Sequence, residues 1–333
     1  MISLPDKLEL AQTPTSLQLL SRLSAELGTR IWVKRDDMTG CAISGNKVRK
    51  LEFVLAQAMA EGADTLITCG GLQSNHCRAT AILGAQLGLK VHLILRGDAP
   101  DQLDGNLLLD SLAGAEISCY PLSQYRHLPE LFEQCSDHYR QQGRKPFLIP
   151  TGASDGIGAW GYINATMELA QQLKAQSVDP SAIICASGSG GTQAGLTLGC
   201  ALTGLNIPVI GFAVCDDAAY FQAKVREDMR DWHQRYQQSL DVDALDIHVN
   251  DSHIGPGYAK ATPEVFATIC RLAALEGLIL DPVYSGKAFH GMLQEIATGQ
   301  LQKAKEVVFV HTGGLFGLFA QRGQLGLSLP DAI

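Results

Sequence analysis

Short apolar runs rich in β-branched residues recur along this 333-residue chain, and stretches with helical spacing separate them. Residues 30–35, 65–69, 91–95, 116–120, 146–150, 182–186, 208–213 and 306–310 read as strands. Helical periodicity predicts helices over 16–27, closed by Gly28, and over 75–87, 105–113, 128–142, 160–175, 218–239 and 262–276. Two further helices start at Asn46, with Val48, Leu51, Leu55 and Met59 on one face, and after the glycines at 188–191. Mostly apolar strands alternating with helices predict an α/β protein with parallel-rich twisted sheets, helices on both faces and two sheets in all.

One helix start is electrically odd. Residues Ser44-Gly45-Asn46-Lys47-Val48-Arg49-Lys50 place three cations in a first turn, where the helix dipole is already positive. A solvated basic turn is the ordinary reading of such a cluster. Its position after Gly-Asn points instead to a reactive lysine beside a bound phosphate. Positive surroundings lower an amine's pKa, as a lysine that forms a Schiff base requires.

Two more strand ends are rich in free backbone N–H groups. Ala186-Ser187-Gly188-Ser189-Gly190-Gly191-Thr192 runs from strand to helix and reads as a small phosphate cradle, with tight-turn packing as the plainer alternative. It is not a dinucleotide fingerprint, because the sixth position from Gly188 is Gln193, and it has no Walker Gly-Lys-Ser/Thr. Gly70-Gly71-Leu72-Gln73-Ser74-Asn75-His76 fits either an ordinary N-cap or a cradle for a substrate carboxylate. Tyr258 and Tyr284 lie in loops flanked by glycine, and Thr312 follows the last strand. His76, His290 and His311 show no triad partner and read as packing or capping residues.

Composition narrows the field. Net charge is −8 with no basic block, which argues against a nucleic-acid partner. No apolar stretch approaches a membrane span, and the N-terminus lacks a signal-peptide pattern. The nine scattered cysteines form no CxxC pair, so they read as reduced thiols of a cytoplasmic protein, and no spacing supports a metal.

Taken together these stretches resemble the fold-type II (tryptophan synthase β-like) pyridoxal-phosphate enzymes. Within them they resemble the D-cysteine desulfhydrase / 1-aminocyclopropane-1-carboxylate deaminase family. The resemblance runs from Thr13-Pro14-Thr15 and Val33-Lys34-Arg35-Asp36-Asp37 through Gly45 to Glu52, Gln73 to His76, Gly188 to Gly195 and Gly255 to Tyr258. It continues to Asp281-Pro282-Val283-Tyr284 and Thr312-Gly313-Gly314. It implies a large cofactor domain (1–49 plus 161–333), a small domain (50–160), and a homodimer.

By the same resemblance Lys47 would carry pyridoxal 5'-phosphate. Lys50 and Gly188, Ser189, Gly190, Gly191 and Thr192 would hold the phosphate. Asn75 would bond the ring hydroxyl, and Thr312 would also contact the cofactor. Gln73, Ser74 and Asn75 would bind a small amino-acid substrate. Tyr284 would lie against the ring with Tyr258 on the substrate side, both counted with Lys47 and Ser74 as catalytic. Which of Lys47, Ser74 or Tyr258 takes the α-proton is left open.

Cyclopropane-opening members typically carry Glu after the Asp-Pro-Val-Tyr tyrosine and Leu before the paired glycines. Ser285 and Thr312 stand there in this chain, which is similar to the desulfhydrase pattern. The implied reaction is α,β-elimination of D-cysteine to pyruvate, hydrogen sulfide and ammonia. Elimination from L-cysteate or β-chloro-D-alanine, cyclopropane deamination, and a non-catalytic ligand-binding role are the alternatives. Ser44, Trp160 and Leu315-Phe316-Gly317 depart from the family pattern, the first and last of them close to expected cofactor contacts.

Overall fold

The protein is described here by a computed structural model covering residues 3–328. It opens with β1 (Leu17–Leu19), α1 (Ser21–Leu27), β2 (Arg30–Lys34) and α2 (Asn46–Ala60). Next come β3 (Thr65–Gly71), α3 (Asn75–Gln86), β4 (Lys90–Arg96), α4 (Gly105–Leu112) and β5 (Glu116–Tyr120). The chain continues with α5 (Leu122–Tyr125), α6 (Leu128–Gln141), β6 (Pro146–Leu148) and α7 (Ala159–Gln176). Then follow β7 (Ile183–Ser187), α8 (Gly191–Thr203), β8 (Val209–Ala213), α9 (Ala218–Tyr236) and β9 (His248–Asn250). Last are α10 (Pro263–Glu276), α11 (Ser285–Thr298), β10 (Glu306–Val310) and α12 (Leu315–Phe319).

The strands form two sheets, ordered β1-β2-β10-β7-β8-β9 and β5-β4-β3-β6. Every pair is parallel except β1 with β2. The α/β class and two-sheet architecture expected from the hydrophobic pattern are those observed.

Local spacing misled at residues 16–20. Leu17–Leu19 form an edge strand, with Leu17 opposite Lys34, and the helix starts only at Ser21. Backbone pairing with β2 satisfies Arg35 N–H and Leu20 N–H at 2.9 Å each, which outweighs helical spacing in so short a segment. The Asp-Pro-Val-Tyr stretch likewise ends in a helix, α11. Asp281 starts it by accepting the N–H groups of Val283, Tyr284 and Ser285 at 2.8, 2.9 and 2.7 Å. Gly286 must be glycine, since a Cβ there would stand 2.4 Å from the Asp281 carbonyl.

α2 is the hinge of the packing. Its Val48, Leu51 and Leu55 join one core with Leu66 and Leu83 near the four-stranded sheet and with Leu198, Met229 and Trp232 of α8 and α9. Trp160 belongs to this core, edge-on to Trp232 and Tyr236 at 5.6 and 5.3 Å between ring centroids. That departure from the family pattern fills core volume away from the cavity described next.

Candidate active site

The carboxyl ends of β3, β4, β7, β8 and β10 converge on a cavity of about 410 Å³. This is where parallel sheets place ligands, since helix N-termini and free N–H groups gather there. Of the residues singled out from sequence, Lys47, Ser74, Asn75, Gly188, Ser189, Gly190, Thr192, Tyr258, Tyr284 and Thr312 all line it.

Lys47 is the second residue of α2, and the segment before it is clamped. Gly45 has φ 110°, and a Cβ there would lie 2.8 Å from the Thr312 carbonyl. Asn46 N–H donates to that carbonyl at 3.1 Å, and its Nδ2 donates to Thr192 Oγ1 at 2.9 Å. Burial holds the Lys47 ammonium well below its usual pKa, and the neighbouring Lys50 charge adds to the effect. Both effects move the amine toward its neutral, nucleophilic form.

Lys50 sits one turn on, behind the cavity wall. Its Nζ donates to the Gly152 carbonyl and Ser154 Oγ at 3.2 Å each. A Cβ at Gly191, the first residue of α8, would lie 2.8 Å from that Nζ. Burial lowers the Lys50 pKa to about 8, with Asp228 and Asp155 opposing it. Arg49 faces away, with Nη2 and Nε on the Asp36 carboxylate at 2.8 and 2.9 Å and Nη1 on Glu168 at 3.1 Å.

The glycine loop is open where a ligand needs it. Gly188 packs on Tyr284, whose ring carbon would be 2.8 Å from an added Cβ, and Gly190 has φ 85°. Ser189 and Ser154 share a hydroxyl hydrogen bond of 2.8 Å, and Gly191 N–H reaches Ser154 Oγ at 3.2 Å. No acid occupies the first turn of α8.

Opposite lies the start of α3. Ser74 is its N-cap, accepting Cys77 N–H at 3.2 Å, so the ordinary cap reading holds while its O–H stays available to the cavity. Gln73, expected at the substrate, turns away: Nε2 donates to the Asp104 carbonyl at 3.0 Å and Oε1 accepts Asn106 N–H at 2.9 Å. Its amide braces the loop before α4. Tyr258 and Tyr284 meet hydroxyl to hydroxyl at 2.5 Å, and burial raises the pKa of both above the usual 10.0. Both phenols stay protonated at neutral pH.

Some lining residues carried no clear signal in the sequence. His76 was read as a packing residue, yet it lines the cavity beside Lys47. The Thr68 hydroxyl donates to the Ile149 carbonyl at 2.9 Å, so it must accept from His76 Nε2 at 2.8 Å. The ring is therefore the Nε2–H tautomer, and its buried Nδ1 has no partner among the described residues. His311 does act as a cap, with Nε2 on the Ile279 carbonyl at 2.9 Å and Nδ1 accepting Gly313 N–H at 3.2 Å. Arg96 ends β4 with its guanidinium over Tyr258 and Tyr125, 4.8 and 5.8 Å from the ring centroids. The rule that strand ends carry ligands would have singled it out.

The family profile described as pyridoxal-phosphate dependent enzyme matches residues 8–313. The chain belongs to this family. It is 40% identical over 326 residues to the D-cysteine desulfhydrase of Klebsiella pneumoniae, covering 96% of this chain and 97% of that one. It is also 40% identical over 326 residues to the mitochondrial bifunctional D-cysteine desulfhydrase/1-aminocyclopropane-1-carboxylate deaminase of Arabidopsis thaliana, at 95% and 80% coverage. A crystal structure titled as an ACC deaminase homologue superposes with a TM-score of 0.88 at 36% identity, covering 96% and 95%.

The cofactor of this pyridoxal-phosphate enzyme fits the cavity. A half-buried and a buried lysine, neither with an acid within 4.0 Å among the described residues, an uncapped helix start and a glycine wall suit a phosphate-bearing aromatic ring. Ser187 Oγ is a further buried wall atom left without a partner among the described residues. Ser44 and Phe316 do not line the cavity but touch Arg78: the Ser44 carbonyl accepts from Nη2, and the Phe316 ring lies 4.9 Å below the guanidinium.

Proposed function

We propose that this enzyme is a β-eliminating lyase that converts D-cysteine to pyruvate, hydrogen sulfide and ammonia. One observation carries the reading: among the described residues the only carboxylate on the cavity wall is Asp216, exposed at the rim. Thr312 lines the wall as a neutral hydroxyl. Ser285 lies behind it, its hydroxyl donating to Asp281 Oδ1 at 2.7 Å. Pyridoxal phosphate supplies an electron sink for negative charge on the substrate α-carbon, and a carboxylate on its ring nitrogen makes that sink stronger. Expelling HS⁻ from a β-carbon demands less of it than opening an unactivated cyclopropane.

The residues divide the work by charge state. Lys47 is the group that holds the cofactor and, with its pKa lowered by burial, the base best placed to take the α-proton. Thr192 and the N–H groups of 188–190 meet the phosphate, Lys50 supplies positive charge from behind the wall at Gly191, and Asn75 meets the ring oxygen. Ser74 O–H and the start of α3 hold the substrate carboxylate. Tyr284 packs at the ring, and Tyr258, protonated by burial, donates to the departing β-substituent. The chain is further proposed to divide into units 50–160 and the remainder, to act as a homodimer, and to work in the cytoplasm.

Elimination of sulfite from L-cysteate is the second reading, because it needs an added cation and Arg96 supplies one. Among the described residues the Arg96 guanidinium meets no acid within 4.0 Å. The test is a product assay on four substrates. Sulfide and pyruvate from D-cysteine support the proposal. Sulfite from L-cysteate moves it to the second reading. Turnover of 1-aminocyclopropane-1-carboxylate to 2-oxobutyrate, with D-cysteine, L-cysteine and L-cysteate inert, would overturn both.

A further inference from the structure

Behind Asn75 lies a buried polar chain that fixes which end of its amide faces the cavity. Arg78 of α3 and Asn106 of α4 are both fully buried. Arg78 Nη1 donates to Asn106 Oδ1 at 2.9 Å, and a guanidinium has no acceptor, so that atom must be the oxygen. Asn106 Nδ2 then donates to the Gln73 carbonyl at 2.9 Å, which can only accept. Two one-way partners leave the Asn106 amide a single orientation, where an isolated amide would be ambiguous.

The same Nδ2 lies 3.0 Å from Asn75, which must therefore present Oδ1 to it, and Arg78 Nη1 approaches that oxygen at 3.4 Å. The Asn75 Nδ2 is turned the other way and makes no hydrogen bond among the described residues, while Asn75 lines the cavity. Gln73 closes the arrangement by accepting Asn106 N–H on its side chain at 2.9 Å. Ser44 and Phe316, two departures from the family pattern, hold the far side of the Arg78 guanidinium.

We propose that Asn106, locked by Arg78 and Gln73, is a positioning residue that makes Asn75 a hydrogen-bond donor toward the ring oxygen anion of bound pyridoxal phosphate. The inference rests on the reading that Asn75 meets that oxygen. A donor stabilises the oxygen anion and so weakens its hold on the nearby titrating proton of the bound cofactor. Releasing Asn75 lets its amide rotate, the donor is lost, and that proton is held more tightly.

The test titrates the visible absorption band of reconstituted holoenzyme with pH, without substrate, alongside the cofactor dissociation constant. Asn106→Leu and Asn106→Asp should raise the midpoint by about one pH unit. Both should weaken cofactor binding about tenfold, the loss of one hydrogen bond to a charged group. Asn75→Ala should do the same, and the double variant Asn75→Ala/Asn106→Leu should go no further than Asn75→Ala alone. Asn106→Ser, too short to reach Asn75, gives the same reading if the leucine variant does not fold. A wild-type midpoint in the Asn106 variants, or additive shifts in the double variant, would overturn the inference. Because no substrate is present, that result is separate from any failure of the β-elimination reading.

Discussion

Lys47, Arg49 and Lys50 stand within four residues of one another, yet the fold treats them in opposite ways. Arg49 is buried against two carboxylates, Asp36 and Glu168, in a network that also takes in Lys34, Thr15 and the Tyr162 hydroxyl. On the other side of α2, Lys47 is half-buried on the cavity wall and Lys50 is buried behind it, and neither has an acid within 4.0 Å among the described residues. Burial lowers a cation's pKa; of these three only Arg49, with two carboxylates against it, is raised, while both lysines are lowered. A paired buried cation holds the fold together. We read the two unpaired lysines, at and behind the cavity wall, as kept for an anion that a ligand supplies.

That contrast can be broken at each residue. Lys47→Ala should lower turnover by about 10³-fold or more while the far-UV circular dichroism stays unchanged. A fold that collapses instead would place Lys47 on the structural side of the comparison. Arg49→Met should do the reverse, destabilising the protein by about 3–5 kcal/mol in urea unfolding, because Asp36 is left charged, buried and unpaired. The activity of the molecules that remain folded should be close to wild type.

Lys50 gives a pH signature of intermediate size. Its pKa is near 8 in the folded state against 10.5 ordinarily, so between those values the unfolded chain binds more protons. Stability of the cofactor-free protein should therefore rise from about pH 8 to pH 10.5, the window set by that depressed value. Lys50→Met should reduce the rise, to which the lowered Lys47 also contributes, and inorganic phosphate, by restoring the Lys50 ammonium, should shrink it. A flat profile in the wild type would show that Lys50 already has a counter-ion. The smallest effect belongs to Gln73→Ala, about 1 kcal/mol of stability for its lost hydrogen bonds. Its substrate KM should not change. A raised KM would return Gln73 to the substrate site.

These contrasts also explain what the sequence made legible. The basic first turn announced an anion because the helix dipole makes such a cluster costly, and the glycine loop announced itself by composition. Neither could say that Arg49 faces away from its neighbours, since its partners Asp36 and Glu168 come from distant segments. Gln73 looks like a ligand residue because it adjoins Ser74 and Asn75, but its partner Asn106 lies 33 positions on. His76 was set aside for want of a sequence partner. Its partner is Thr68, across the strand-to-helix turn. In the fold, the strands with apolar runs were readable, whereas β1 and β9, each three residues long, exist only through pairing with a neighbour.

The most direct test of the division between paired and unpaired cations is to reduce the holoenzyme with borohydride and map the modified lysine by mass spectrometry. The account predicts a single pyridoxyl adduct on Lys47, with Lys34 and Lys50 unmodified. An adduct on Lys50 or Lys34, or none on a protein that still turns over substrate, would contradict it.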